Sequence, residues 1–142
     1  MVENGYSTAE LDDLTTELFR TAERSYPTNA RKMMREQGKT GRKKLRDNTK
    51  SCTTKRTGNL LKGIQAGKVT KYEGDFQVRI KNTAPHAHLI EYGHSMVVFG
   101  KKTEKFVEGK YPARKTAEEM RPVFAEAVEK FVDEMLEEGL GV

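Results

Sequence analysis

Apolar residues recur at helical spacing towards both ends of the chain and at a period of two in the middle. Ser7 followed by Glu10 is a capping-box signature, and Leu11, Leu14, Leu18, Phe19 and Ala22 follow on one helical face. A first helix is predicted over residues 7–25, closed ahead of Pro27. A second, basic helix is predicted from Thr28, with Ala30, Met33, Met34, Gly38, Gly41 and Leu45 on one side and the bases on the other. Each glycine costs about 1 kcal/mol relative to alanine inside a helix, so this segment needs a partner to order it or bends near Gly38 to Gly41.

After Thr57 and Gly58 the pattern changes. Phe76, Val78 and Ile80 alternate with Gln77, Arg79 and Lys81, as in a strand with one buried face. Ile64 to Tyr72 reads as a weaker partner strand, with Glu73, Gly74 and Asp75 as the hairpin turn. A short segment from His86 to Tyr92 follows Pro85, and Ser95 to Phe99 is a further strand. Residues 100–110 mix Lys101, Lys102, Glu104, Lys105 and Glu108 and read as a projecting polar loop, a candidate contact arm. Thr116 and Glu119 form a second capping box before the stripe Phe124, Ala127, Val128, Phe131, Met135 and Leu136. Pro122 fits only a first turn or a kink, which places the start of regular helix nearer Met120 than Thr116.

The elements add up to an α+β domain, an antiparallel sheet of three to four strands packed by two N-terminal helices and a C-terminal amphipathic helix. The 142 residues are expected to form one domain: an acidic N-terminal helix (1–27), a basic helical segment (28–56), a β-rich core (57–111) carrying the loop 100–110, and the last helix (112–142). Only 35% of the residues are hydrophobic and 33% are charged, so the core must be thin for the length. Cys52 is the only cysteine, which excludes an internal disulfide. No apolar run reaches the roughly 18 residues of a membrane span, and the acidic start is unlike a signal peptide, so the cytoplasm is the expected site of synthesis.

The net charge of +5 conceals its own distribution. Residues 31–62 hold twelve bases against Glu36 and Asp47, residues 1–17 hold five acids and no base, and residues 117–138 hold eight acids against Arg121 and Lys130. The basic segment, with Lys39, Arg42, Lys43, Lys44 and Arg46 at its centre, either meets a polyanion or meets the acidic parts of a neighbouring copy. It has no aromatic residue between Tyr26 and Tyr72 for stacking on single strands, so phosphate contact without base readout is the nucleic-acid version. Lining of a DNA path and subunit contact are weighted equally, above specific DNA recognition.

Catalytic chemistry has little support. His86, His88 and His94 cluster around Glu91, yet their spacing matches no known ligand cage, and ordinary polar residues on a turn and sheet rim is the better reading. Cys52 sits near Lys50 and Lys55, which could lower its pKa, but a lone thiol of this kind is more often inert. No nucleophile elbow, Walker loop or dinucleotide fingerprint is present. No enzyme activity, metal or cofactor is expected.

Three short strings carry a resemblance. Arg56-Thr57-Gly58-Asn59-Leu60-Leu61-Lys62-Gly63-Ile64 resembles the TG-x-L-x-x-x-I signature of the tail-completion, or head–tail joining, family of long-tailed bacteriophages. Ala87 to Gly93 resembles that family's Y-A-x-x-[VI]-E-[FY]-G motif, with His86 in place of the first aromatic. Tyr111 to Arg114 and Met120 to Ala127 are similar, more loosely and with an insertion at 115–119, to its proline-rich lead into a terminal helix.

The resemblance spans residues 28–138. It implies a virion protein of the neck, without catalysis, built as a ring around the DNA channel, a hexamer by the usual symmetry of such tails. Head-closure, tail-terminator or tail-tube proteins would be its neighbours, packaged DNA a non-specific contact, and no membrane is involved. Thr57, Gly58, Leu60, Ile64, Glu91, Tyr92, Gly93, Pro112 and Pro122 would be structural signatures. Gly58 and Gly93 would permit tight turns, Glu91 and Tyr92 would make core or interface contacts, and the prolines would fix the approach to the last helix. A tail-terminator ring and a small basic DNA-binding regulator are the alternatives.

Overall fold

The computed structural model describes residues 8–54 and 58–140. Among the described residues, five helices and six short strands follow one another. They are α1 (Thr8–Arg24), α2 (Tyr26–Cys52), α3 (Asn59–Lys62), β1 (Ile64–Ala66), β2 (Thr70–Tyr72), β3 (Asp75–Gln77), β4 (Ile80–Asn82), α4 (Ala87–Tyr92), β5 (Gly93–Val98), β6 (Lys101–Glu108) and α5 (Pro112–Leu140). The α+β class with antiparallel pairing holds. The strands are divided, however, into three two-stranded pieces, β1–β4, β2–β3 and β5–β6.

Helical hydrogen bonding runs through the junction of α1 and α2, from Ser25 N to Thr21 O and from Asn29 N to Ser25 O, both at 3.0 Å. Pro27, in the first turn of α2, supplies no N–H, and the two helices part there. Ser7, the first cap residue, lies outside the described residues.

α2 is helical without interruption through its middle. Gly38 and Gly41 are buried, and each marks where a residue of the hairpin approaches the helix backbone. A Cβ on Gly38 would lie 2.9 Å from Val78 Cγ2, and one on Gly41 would collide with Ile80 Cδ1. The cost of two helical glycines is offset by packing against the hairpin, so this helix has its ordering partner within the chain.

β1 to β4 form one long hairpin with an interruption. Its turn, Glu73 and Gly74, has φ of +48° and +88°, the left-handed pair favoured in tight two-residue hairpin turns. Thr70 pairs with Gln77 at the tip and Ala66 with Ile80 at the base, so three residues (67–69) oppose two (78 and 79) as a bulge. The expected single strand from Ile64 to Tyr72 is split by that bulge, where Gly67 N still bonds Arg79 O at 2.7 Å.

The core is small. Leu45, Leu61 and Ile64 are buried together with Ile80 packed against them, a cluster worth about 2 kcal/mol per buried side chain. A second contact set joins α2, β3 and α5: Tyr26 lies 6.1 Å from Phe76 and 5.9 Å from Phe131, and the Arg31 guanidinium sits 5.2 Å over Phe76. α5 runs antiparallel to α2. Thr116 in its first half meets Asn48, and Glu138 near its end accepts from Asn29 at 3.3 Å and Ser25 at 2.5 Å.

Two expectations are corrected here. Residues 101–108 are not a loop but strand β6, paired with β5 from Gly93↔Glu108 to Val98↔Lys101. Alternation was invisible there because the hairpin stands off the core and both of its faces carry charge. The last helix starts at Pro112 rather than near Met120, and Pro122 lies inside it. Its first turn is held by a partner remote in sequence, which outweighs the local penalty of Pro122.

Candidate functional site

Helical geometry turns residues 32, 35, 39, 43, 46 and 50 onto one face of α2, opposite the buried Gly38, Gly41, Leu45 and Asn48. Lys32, Arg35, Lys39, Lys43, Arg46 and Lys50 are all exposed on it, a stripe about 27 Å long. Among the described residues the ion pairs are Arg20–Glu17, Arg114–Glu118 and Lys130–Glu134, so none of the stripe is neutralised by a direct partner. The five candidate cations do not share this face. Lys39, Lys43 and Arg46 lie on it. Arg42 stands on the flank beside β1, where its Nε donates to Ile64 O at 3.3 Å, and Lys44 is half-buried on the other flank. Lys32, Arg35 and Lys50 belong to the stripe instead, a set that their spacing of three and four already encodes.

The histidines do not converge. His86 and His94 line a cleft of about 800 Å³ with Cys52, Leu60 and Lys110, and His88 lines another with Glu91 and Pro112. No group of three or more His, Cys, Asp or Glu able to hold a metal occurs among the described residues. His94 Nδ1 is buried without a hydrogen-bond partner. Cys52 is half-buried and its Sγ donates to Thr49 O at 3.4 Å. Burial pushes its thiol above the ordinary value, a backbone hydrogen bond and the Lys110 charge opposing only in part. The basic neighbourhood of Cys52 does not produce an activated thiolate.

The motif residues take defined positions, apart from Thr57, which lies outside the described residues. Gly58 precedes α3 at φ +79°. Leu60 presents its carbonyl to Asn82 Nδ2 at 3.1 Å, and Ile64 is 1% exposed in the core. Glu91 closes the N-terminus of α5: Oε2 accepts from Ala113 N at 2.8 Å and Oε1 from Arg114 N at 3.1 Å. The carboxylate thus satisfies two of the donors a helix start leaves open and faces the positive end of its dipole.

Glycines deliver Glu91 to that place. Gly93 (φ +85°) would, with a Cβ, collide with Val107 O, and Gly109 with Glu91 O; Lys110 N bonds Ile90 O at 2.8 Å. α4 is therefore clamped against the end of β6. Tyr92 is 69% exposed and contributes nothing to the core. Pro112 is buried as the first residue of α5, where a missing N–H costs nothing, whereas Pro122 is exposed in the helix interior.

A largely buried polar set links α2 to α5. Asn48 Nδ2 donates to Thr116 Oγ1 at 2.9 Å and to Glu119 Oε2 at 3.2 Å, and Thr116 Oγ1 donates to Pro112 O at 2.7 Å. Thr116 and Glu119, read as a capping box, instead bind the neck of α5 to α2. The available signal was polar Asn48 and Thr49 at positions where the buried stripe of α2 calls for apolar residues.

Fold and surface together define a small helical and hairpin module whose distinctive side chains cap, clamp and present charge. The family model described as "Bacteriophage HK97-gp10, putative tail-component" matches residues 12–93, from within α1 to Gly93. The chain belongs to this HK97-gp10-like family of phage tail components. The match takes in the Thr57–Ile64 and Ala87–Gly93 strings and stops before the one beginning at Tyr111. Searches of curated proteins and of solved structures return no match.

Proposed function

We propose that this tail component is a tail-completion protein of the phage neck, which finishes the head-proximal end of the tail and joins it to the head as a ring around the DNA channel. The observation that carries the reading is the cationic stripe on α2, set opposite a packed face and free of direct counter-charges among the described residues. A ring of such helices facing inward presents DNA with a diffuse positive wall. Attraction there is non-specific and salt-screened, which permits passage where tight binding would block it.

The exposed area supports a subunit rather than a solitary globule. The chain exposes 11144 Å², against ~7,400 Å² for a compact 16.1 kDa monomer. A closed cyclic assembly, a hexamer on this reading, covers such surface without leaving free ends. Head-closure proteins on one side and tail-terminator or tail-tube proteins on the other are the proposed neighbours, in the virion and without catalysis.

A phage lacking this gene tests the assignment. Full heads and finished tails that fail to join are the expected contents of the lysate. Tails of uncontrolled length would assign tail termination instead, and intact particles would overturn both.

A further inference from the structure

The β5–β6 hairpin ends in an exposed apolar tip made of Met96, Val97, Val98 and Phe99, with Phe106 behind it. Phe99 is 101% exposed and has φ +49°, a left-handed conformation that disfavours an aromatic side chain. Asn or Gly would suit the turn better on both counts. The free chain therefore gains nothing from this residue and is penalised twice for it, which is the mark of a group used in a contact. Lys101 and Lys102 pair directly across from Val98 and Val97, so the tip is rimmed with positive charge.

A matching surface exists on α1. No residue of this helix is buried; Leu11 is 52% exposed, Leu14 41% and Phe19 66%, and helical phase sets Asp12 beside Phe19 and Glu17 beside Leu14 at the two borders of this arc. An apolar, acid-rimmed helix face complements an apolar, base-rimmed hairpin tip.

The two stand apart within one chain, where Phe99 is fully exposed. The hairpin joins the body at α4, whose Glu91 holds Ala113, whereas α1 lies against Gly139 through Leu18 and Thr21. From Ala113 to Gly139 the axis of α5 runs about 39 Å.

We propose that the hairpin tip of each copy docks on α1 of the next, in a head-to-tail contact. Resting on the neck-ring reading above, it names the surfaces that would link neighbours. Such a contact is heterologous, so each copy gives one surface and receives on the other, and repetition closes a ring or runs on as a filament.

The test uses the full chain in sedimentation velocity at low salt. Wild type is expected to self-associate, more weakly as NaCl rises. Phe99→Asn, which suits the turn and leaves the fold intact by circular dichroism, is expected to weaken association at least about tenfold. Lys101→Glu with Lys102→Glu, and separately Asp12→Lys with Glu17→Lys, are each expected to weaken it about tenfold, and the four together to restore it to within about threefold.

A wild type that stays monomeric, a Phe99→Asn chain that assembles normally, or a fourfold variant no better than its parents would overturn the contact. The deletion phage is read independently: unjoined heads and tails there, with any of these results, would remove the contact and leave the neck assignment standing.

Discussion

Replacing Glu91 with alanine should loosen the front of α5 by an amount that can be estimated from its contacts. Two backbone donors, Ala113 N and Arg114 N, lose a charged acceptor at 2.8 and 3.1 Å. Loss of an N-terminal cap costs about 1–2 kcal/mol, and the interaction of a carboxylate with the helix dipole adds about 0.3–1 kcal/mol. The expected destabilisation is therefore about 1.5–3 kcal/mol, since Glu91 is half-buried and water replaces it only in part. For 142 residues an unfolding entropy of about 0.3 kcal/mol/K converts this to a fall in Tm of about 5–10 °C.

Glu91→Gln keeps one carbonyl acceptor but turns an amide N–H₂ towards the second donor, and should fall between wild type and alanine. Thermal unfolding by circular dichroism gives the totals, and amide exchange at Ala113 and Arg114 localises the effect. A Glu91→Ala chain melting within about 1 °C of wild type, with those two amides equally protected, would refute the cap.

Three further outcomes follow from other parts of the fold. Gly63→Ala should destabilise by about 2–4 kcal/mol in urea unfolding. Its Cβ would sit 2.6 Å from Asn82 Oδ1 and 2.7 Å from Ala84 N, and neither can yield without breaking the Asn82 hydrogen bonds to Leu60 and Ala84. Cys52 should react with a disulfide reagent at pH 8 more slowly in the folded chain than in urea, because burial raises its pKa above the ordinary 9.0. The fold favours the protonated thiol, so this contribution to stability is full below the unfolded pKa and is lost as pH rises through the higher folded value; equal rates in both states would contradict it. Lys39→Glu, Lys43→Glu and Arg46→Glu together should lower the slope of log K against log salt for duplex DNA by about three. An unchanged slope would remove the stripe from the DNA contact.

The helices were legible because their apolar residues repeat on a face that is buried or half-buried. What the sequence obscured depends on partners far along the chain. Gly38 and Gly41 read as weakness in a helix considered alone, and only the hairpin arm carrying Val78 and Ile80 reveals them as points of approach. Lys101 to Glu108 carries charge on both faces because the hairpin stands away from the core, so no alternation betrays a strand. Pro122 pointed to a late helix start, since an interior proline costs about 3 kcal/mol. The buried Pro112, the Glu91 cap and the Asn48–Thr116 bond hold the first ten residues helical regardless. Glu91 lies 22 residues from its donor, a distance at which no spacing rule operates. For the basic segment, counting charge found the region but not the face; helical phase separates Lys39, Lys43 and Arg46 from Arg42 and Lys44.

The distribution of apolar side chains then bears on why this fold is economical only as a part of something larger. Ala30, Leu45, Leu61 and Ile64 are the hydrophobic residues buried among those described, whereas Leu11, Leu14, Phe19, Phe99, Phe106 and Val132 stay 46% exposed or more, apart from Leu14 at 41%. The chain exposes 11144 Å², an excess of roughly 3,700 Å² over a compact monomer of its mass. A standard interface covers about 800 Å² on each partner. On the neck-ring reading, two lateral neighbours therefore take less than half of the excess, and contacts above and below must account for much of the rest. The outward face of α2 is unsuited to any of these, since an apolar partner would leave six cations desolvated and unpaired. An apolar neighbour is thus excluded from the α2 stripe, which suits solvent, phosphate or an acidic surface, and on the neck-ring reading α1 and the hairpin, at opposite ends of α5, are the surfaces left to face other proteins.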